Sequence, residues 1–205
     1  MQLPFLRRFS FGKDLQMRKL AFAILLMAMS CTRGFSEKEL ELIHGSGETM
    51  RVLTIENKED LDVLRTKSCD FPMPVFESED YKKLCSLMVA TVTSPEQDGV
   101  GIAGPQVGLN RRVVAVQRFD KEGEPFEVYG NIRITEFLGK KTLGPEGCLS
   151  VPDRREDVDR YQDIIIEYAH EGKLVTERVS GFTAVIFQHE VDHLEGILYI
   201  DRVDK

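Results

Sequence analysis

Hydrophobic residues recur at every third or fourth position in two stretches of this chain. From Ser78 to Ser94, Tyr81, Leu84, Cys85, Met88 and Val92 share one face at helical spacing. Ser78 offers an N-cap and Pro95 follows the end, so this is an amphipathic helix with Cys85 in its apolar stripe. From about Gly181 to Gly196, Phe182, Val185, Ile186, His189 and His193 form a second stripe, which predicts a helix buried on that face. Between the two, β-branched and aromatic runs take over. "RRVVAVQRF" and "EPFEVYGNIRI" flank a "DKEGE" turn and predict strands. "RYQDIIIEYAHEGKLVTERVSG" predicts a hairpin that turns at "HEGK", with His170 in the solvated turn. "MRVLTIEN" predicts a strand or an extended lead-in, "LGKKTLGPEG" a polar break, and "ILYIDRV" a closing strand or extended tail. Strands come first and the striped helix last. The fold class is therefore α+β, mainly antiparallel sheet packed around a helix in the C-terminal region.

The first 48 residues break this pattern. "MRKLAFAILLMAMSC" has a basic start, an apolar run from Leu20 to Met29, and a small residue before Cys31. That is the layout of a secretory signal, and Cys31 after Ser30 resembles the lipidated cysteine of a bacterial lipoprotein. Ala28 stands where such signals usually carry Leu, and a buried or frayed helix is the alternative. Residues 1–31 are expected to be a leader whose true start is Met17, residues 32–48 a polar tether, and residues 49–205 a single domain. Export as a membrane-anchored lipoprotein through Cys31 follows from that reading, with a cytoplasmic protein as the alternative.

Composition narrows the partners. At 42% hydrophobic and 30% charged, the chain is that of an ordinary globular protein. Without residues 1–31 it carries 22 basic and 33 acidic residues, a net charge of −11, which excludes nucleic acid as its main partner. Cys31, Cys69, Cys85 and Cys148 are scattered with no CxxC pair and do not form a disulfide framework.

Three stretches carry candidate chemistry. In "QHEVDHLEG", His189 and His193 are four apart on a helix, so both can face one metal ion, and Glu190 follows the first. Two partly buried helical histidines are the simpler reading. Asp192 on the same buried helix then needs a partner. In "GPEGCLSVP", Cys148 is either a small core residue or a thiolate ligand for a soft or borderline metal. In "GVGIAGPQVGLN", glycines 99, 101 and 104 allow another group to approach closely, and Gln106 is either a neutral donor aimed at a site or a loop amide. The GxGxxG spacing there is not a nucleotide fingerprint, because Pro105 follows and no βαβ unit surrounds it.

Together, in this order, "GVGIAGPQ", "EGCLS" and "QHEVDHLEG" resemble the three motifs of the peptide deformylases, and the likeness runs from about Met50 to Val203. Gly104 departs from the family's usual Ala, which implies a more mobile loop, and "NIRI" at Asn131 departs from Asn-Pro at a strand end. The resemblance implies a hydrolase that removes the formyl group from N-terminal formyl-methionine of new polypeptides or peptides and releases formate. It implies Cys148, His189 and His193 as ligands of one divalent metal per chain, Fe²⁺ first, with Zn²⁺, Ni²⁺ or Co²⁺ able to replace it. Water is the fourth ligand and the nucleophile. Glu190 is then general base and acid, and Gln106 with the backbone N–H of Leu149 forms the oxyanion hole. A formyl-methionyl peptide would dock along Gly99, Val100, Gly101 and Ile102, with Val100, Ile102, Phe182, Val185 and Ile186 lining its methionine slot. Glu146 and Arg155 are further expected substrate contacts. Arg160 is expected to brace Asp192 behind the metal helix, and the protein is expected to be a monomer. The alternatives are an HExxH zinc endopeptidase and an exported, non-catalytic binder of formylated N-termini.

Overall fold

The computed structural model describes residues 34–203. The expected leader and the lipidated Cys31 lie outside these residues. Among the described residues no helix is long and apolar enough to cross a membrane.

The chain enters through helix α1 (Glu37–Gly45), then α2 (Lys58–Leu64) and α3 (Glu79–Val92). Strands β1 (Gly101–Ala103), β2 (Val113–Gln117), β3 (Phe126–Cys148), β4 (Val151–His170) and β5 (Lys173–Ser180) form one antiparallel sheet in the order β1-β2-β3-β4-β5. Helix α4 (Gly181–Leu194) follows directly from β5.

Both faces of the β1–β2 corner are covered. Ile102, Val113 and Ala115 pack with α3 residues Leu84, Met88 and Val92. Their neighbours Ala103, Val114 and Val116 pack with Ile186, Phe187 and Val191 of α4. Period-two side chains sandwiched between two helices explain why β2 is an unbroken apolar run rather than an alternating one. Each CH₂ group buried this way contributes about 0.8 kcal/mol.

The α3 helix and the β4–β5 hairpin lie where the sequence pattern places them, with the helix capped by Ser78 Oγ accepting from Tyr81 N at 3.2 Å. Three expectations fail. "LGKKTLGPEG" is not a break, because β3 runs through it paired to β4 from Lys141↔Tyr161 to Gly147↔Arg155. A register shift between Leu138 and Lys141 falls inside it and another between Gly147 and Cys148 ends it, and bulges of this kind let glycine- and lysine-rich sequence stay in a ladder. The stretch expected as a polar tether holds α1, closed by a capping box between Ser36 and Glu39 and anchored by Ile43, which is fully buried. The expected closing strand is a short 3₁₀ turn, Tyr199–Asp201, whose Tyr199 is buried against Val151 and Val158. Met50 to Ile55 is extended without joining the sheet. Leu53 N donates to Gln106 O at 2.8 Å and Ile55 N to Ser150 O at 2.9 Å, which ties two of the three motifs together.

Candidate metal centre and active site

The end of β3 and the middle of α4 meet. Cys148 Sγ lies 3.2 Å from His193 Nε2, and the ligand atoms of Cys148, His189 and His193 all fall within 4.8 Å of one another. One thiolate and two imidazoles converging on one point is a donor set for a soft or borderline divalent cation. Charge agrees with that fit. Burial pushes the Cys148 thiol up, but His193 and His189 outweigh it and hold it well below its ordinary value. The thiolate and Glu146 in turn hold His189 well above its ordinary value against burial. The thiolate is the form in which Cys148 binds a cation, and His189 gives up its proton when it does the same.

Glu146 and Cys148 are two apart on a strand, so both point to the same face. Glu146 Oε2 meets His189 Nδ1 at 2.8 Å, which leaves His189 Nε2 turned toward Cys148. The other donors to Glu146 come from Arg160: Nε to Oε1 at 2.7 Å and Nη2 to Oε2 at 3.1 Å. Both Glu146 oxygens are engaged and the residue is 7% exposed, so it faces His189 and Arg160, where a substrate contact was expected. Burial would raise its carboxyl, but the hydrogen bonds and charge of His189 and Arg160 outweigh it and hold it below the usual carboxylate range, at about 2, where it orients the His189 ring. Arg160 Nη1 also reaches Asp192 Oδ2 at 2.6 Å, and Arg202 Nη2 meets Asp192 Oδ1 at 2.5 Å. Tyr199 stacks on the His189 ring at 5.9 Å between centroids. Arg202 and Tyr199 were not anticipated from the sequence. Glu146 had a usable signal in its two-residue spacing from Cys148.

Glu190 is buried next to Gly101. A Cβ on Gly101 would collide with Glu190 Oε1 and lie 2.9 Å from Ile186 Cγ2, so only glycine lets this backbone pass the carboxylate. Glu190 Oε2 and His193 Nδ1 are buried without a hydrogen-bond partner among the described residues. Burial pushes Glu190 up to about 7, with the two histidines opposing it. Such a carboxyl exchanges a proton near neutral pH.

Gln106 is 1% exposed in the 3₁₀ turn Gly104–Val107. Its Oε1 accepts from Ala103 N at 2.8 Å, which aims Nε2 at Cys148 Sγ (3.6 Å) and Ser150 Oγ (3.2 Å). Gly104 is closely confined. A Cβ there would lie 2.6 Å from Leu109 O and 2.7 Å from Arg111 O, so the loop is packed where extra mobility was expected. Leu149 sits in the turn between β3 and β4 and packs beneath Gly99.

The expected methionine slot is only partly assembled. Val100 and Ile186 pack in one cluster, and Val185 is half-buried one turn before His189. Ile102 faces the opposite side, fully buried against α3, so its side chain cannot line that slot. Phe182 is 55% exposed and rests on Phe119 at 5.3 Å. Arg155 is exposed over Gly147, between the two motif side chains of β3. Asn131 lies at a register shift inside β3 rather than at its end, with φ of 51° and two hydrogen bonds to the Phe71 backbone.

A sequence profile described as polypeptide deformylase matches residues 50–205. The chain is 41% identical over 156 residues to the peptide deformylase of Halothermothrix orenii, which covers 75% of this chain and 95% of that one. It is 38% identical over 130 residues to peptide deformylase 2 of Gloeobacter violaceus, covering 62% and 68%. Among solved structures, a Met-Ala-Ser-bound class I type b peptide deformylase of Acinetobacter baumannii superposes with a TM-score of 0.67 and 35% identity, over 76% of this chain and 98% of that chain.

Proposed function

The chain belongs to the polypeptide deformylase family, and on that premise we propose that Cys148, His189 and His193 hold the family's divalent metal while Glu190 carries the proton. The activity is removal of the formyl group from an N-terminal formyl-methionine, with release of formate. Family membership removes both the endopeptidase and the non-catalytic alternatives.

The observation that carries the assignment of roles is the convergence of a strand cysteine and two helix histidines beside a buried carboxyl without a partner. The bound cation would supply Lewis acidity, polarising the formyl carbonyl and acidifying water. Glu190 takes the proton of the attacking water and passes it to the departing amine nitrogen. Its pKa near 7 suits both halves of that transfer. Gln106 Nε2, pre-aimed by its bond to Ala103 N, donates to the carbonyl oxygen as charge develops there, and the Leu149 N–H is the second donor. Glu146, Arg160 and Asp192 keep His189 and α4 in place.

The peptide binds along β1, the edge strand of the sheet, through main-chain hydrogen bonds that ignore sequence. The Met-Ala-Ser peptide of the Acinetobacter relative supports a ligand of that class. Val100, Val185 and Ile186 contact the methionine, with Phe182 and Arg155 farther along. The thiolate in the donor set supports Fe²⁺ as the native ion, with Zn²⁺, Ni²⁺ and Co²⁺ as replacements. Metal analysis of anaerobically purified protein checks this. For place, we propose a monomer held at a membrane through lipidated Cys31. An intact mass showing that lipid supports it, and a native peptide spanning Gln2 to Gln16 overturns it.

The deciding assay is formate release from a formyl-Met peptide by Fe- or Ni-loaded protein. Glu190→Ala should lower kcat about 100-fold or more while the metal content stays unchanged. No formate from the intact protein would overturn the reading.

A further inference from the structure

The family match begins at residue 50, yet the chain before it is built into the molecule. Glu39 of α1 serves two bonds with one carboxylate. Its Oε2 accepts from Ser36 N at 2.7 Å and closes the capping box. The same carboxylate receives Arg111, Nε to Oε1 at 2.6 Å and Nη2 to Oε2 at 3.0 Å. Arg111 is 1% exposed, lies over the Phe71 ring at 5.4 Å, and donates to Gly34 O and Asp70 O. A buried guanidinium of this kind sits where its charged partner sits.

Arg111 also closes the loop that presents Gln106. Leu109 N donates to Gly104 O at 2.9 Å, and Arg111 N to Leu109 O at 2.7 Å. The carbonyls of Leu109 and Arg111 are the atoms that wall in Gly104, two residues before Gln106. This contact is backbone against backbone, with no Cβ to act as a stop. Leu42 of α1 packs against the far end of the same loop at Gly108.

We propose that α1 is a positioning element of the deformylase site, which fixes the 104–111 loop through the Glu39–Arg111 pair so that Gln106 meets the substrate oxygen in register. The inference rests on the proposed role of Gln106. Without Glu39, Arg111 loses its two-bond tie to α1, its carbonyl shifts, and the Gly104 turn follows. A displacement of about 1 Å at such a donor costs on the order of 100-fold in rate.

The test compares Glu39→Ala, the milder Glu39→Gln, and Lys82→Ala, which removes an exposed pair on α3, in the full-length metal-loaded protein. Expected for Glu39→Ala is a kcat at least about tenfold lower, with KM nearly unchanged, well below its melting temperature. Hydrogen exchange over residues 104–110, measured without substrate, should rise in the same variant. Lys82→Ala should change neither. If Glu39→Ala does not fold, Glu39→Gln is judged by the same two readouts. Wild-type kcat and wild-type exchange at 104–110 in the folded variant, even with a lower melting temperature, would overturn the proposal. Failure of the unmodified protein to release formate would instead overturn the deformylase assignment, while the exchange measurement still reports on the loop.

Discussion

At the scale of single residues, Gly101 and Glu146 carry the sharpest demands. Gly101 lets the β1 backbone run past the Glu190 carboxylate, where any side chain would collide with Oε1 and crowd Ile186. Gly101→Ala should therefore displace Glu190 and reduce formate release by at least about 100-fold. The protein should keep its circular dichroism spectrum and metal stoichiometry, and retained activity would count against the geometry. Glu146 binds His189 Nδ1 and fixes which nitrogen faces Cys148. Glu146→Ala should weaken metal affinity by about 10–100-fold, measured by competition with a chelator. Neither role shows in residue type alone. Glycine beside a carboxylate and glutamate beside a histidine become specific only when distant segments are brought into contact.

At the scale of elements, α1 and the β3–β4 ribbon are where sequence pattern and structure part. The α1 stretch has Leu40, Leu42 and Ile43 as its only large apolar residues, with Ile43 fully buried, and its docking also uses the ion pair to Arg111, 72 residues away. No local periodicity reports a partner at that distance. Burial alone would raise the Glu39 carboxyl, but the Arg111 and Ser36 hydrogen bonds hold it below its ordinary value of 4.5. A depressed folded pKa means a stabilising contribution that is complete above the ordinary value and lost as pH falls through the folded one. The difference in melting temperature between the native protein and Glu39→Gln should therefore be constant from neutral pH to about pH 5 and shrink below pH 4. A gap that persists at low pH would deny the carboxylate that role. The ribbon was hidden for a different reason. Glycines and lysines in "LGKKTLGPEG" signal a turn, yet register shifts at Leu138/Lys141 and Gly147/Cys148 keep it paired to β4. By contrast α3 and α4 are legible, because an apolar stripe on a fourteen-residue segment is a local property of the chain.

At the scale of the whole molecule, the proposed metal ligands join the sheet to the last helix. Cys148 closes β3, and His189 and His193 sit in α4 after two further strands. An ion held by all three cross-links sheet to helix. Removing it with a chelator should abolish formate release and lower the melting temperature. At a free metal concentration of 100 times Kd, the lost stabilisation is about 2.7 kcal/mol. An unchanged melting temperature after complete removal would argue against that cross-link.

The sequence by itself determined the striped helices, the hairpin, the α+β class and, through three short motifs in order, the family and the three residues proposed as metal ligands. These depend on spacing within a few residues, where helix and strand periods act. Only the tertiary structure decided that Glu146 braces His189, that Ile102 faces α3, that Gly104 is confined, and that α1 is clamped to the Gln106 loop. Each of these depends on which segments meet, and that is set by packing and buried charge pairing across the whole chain.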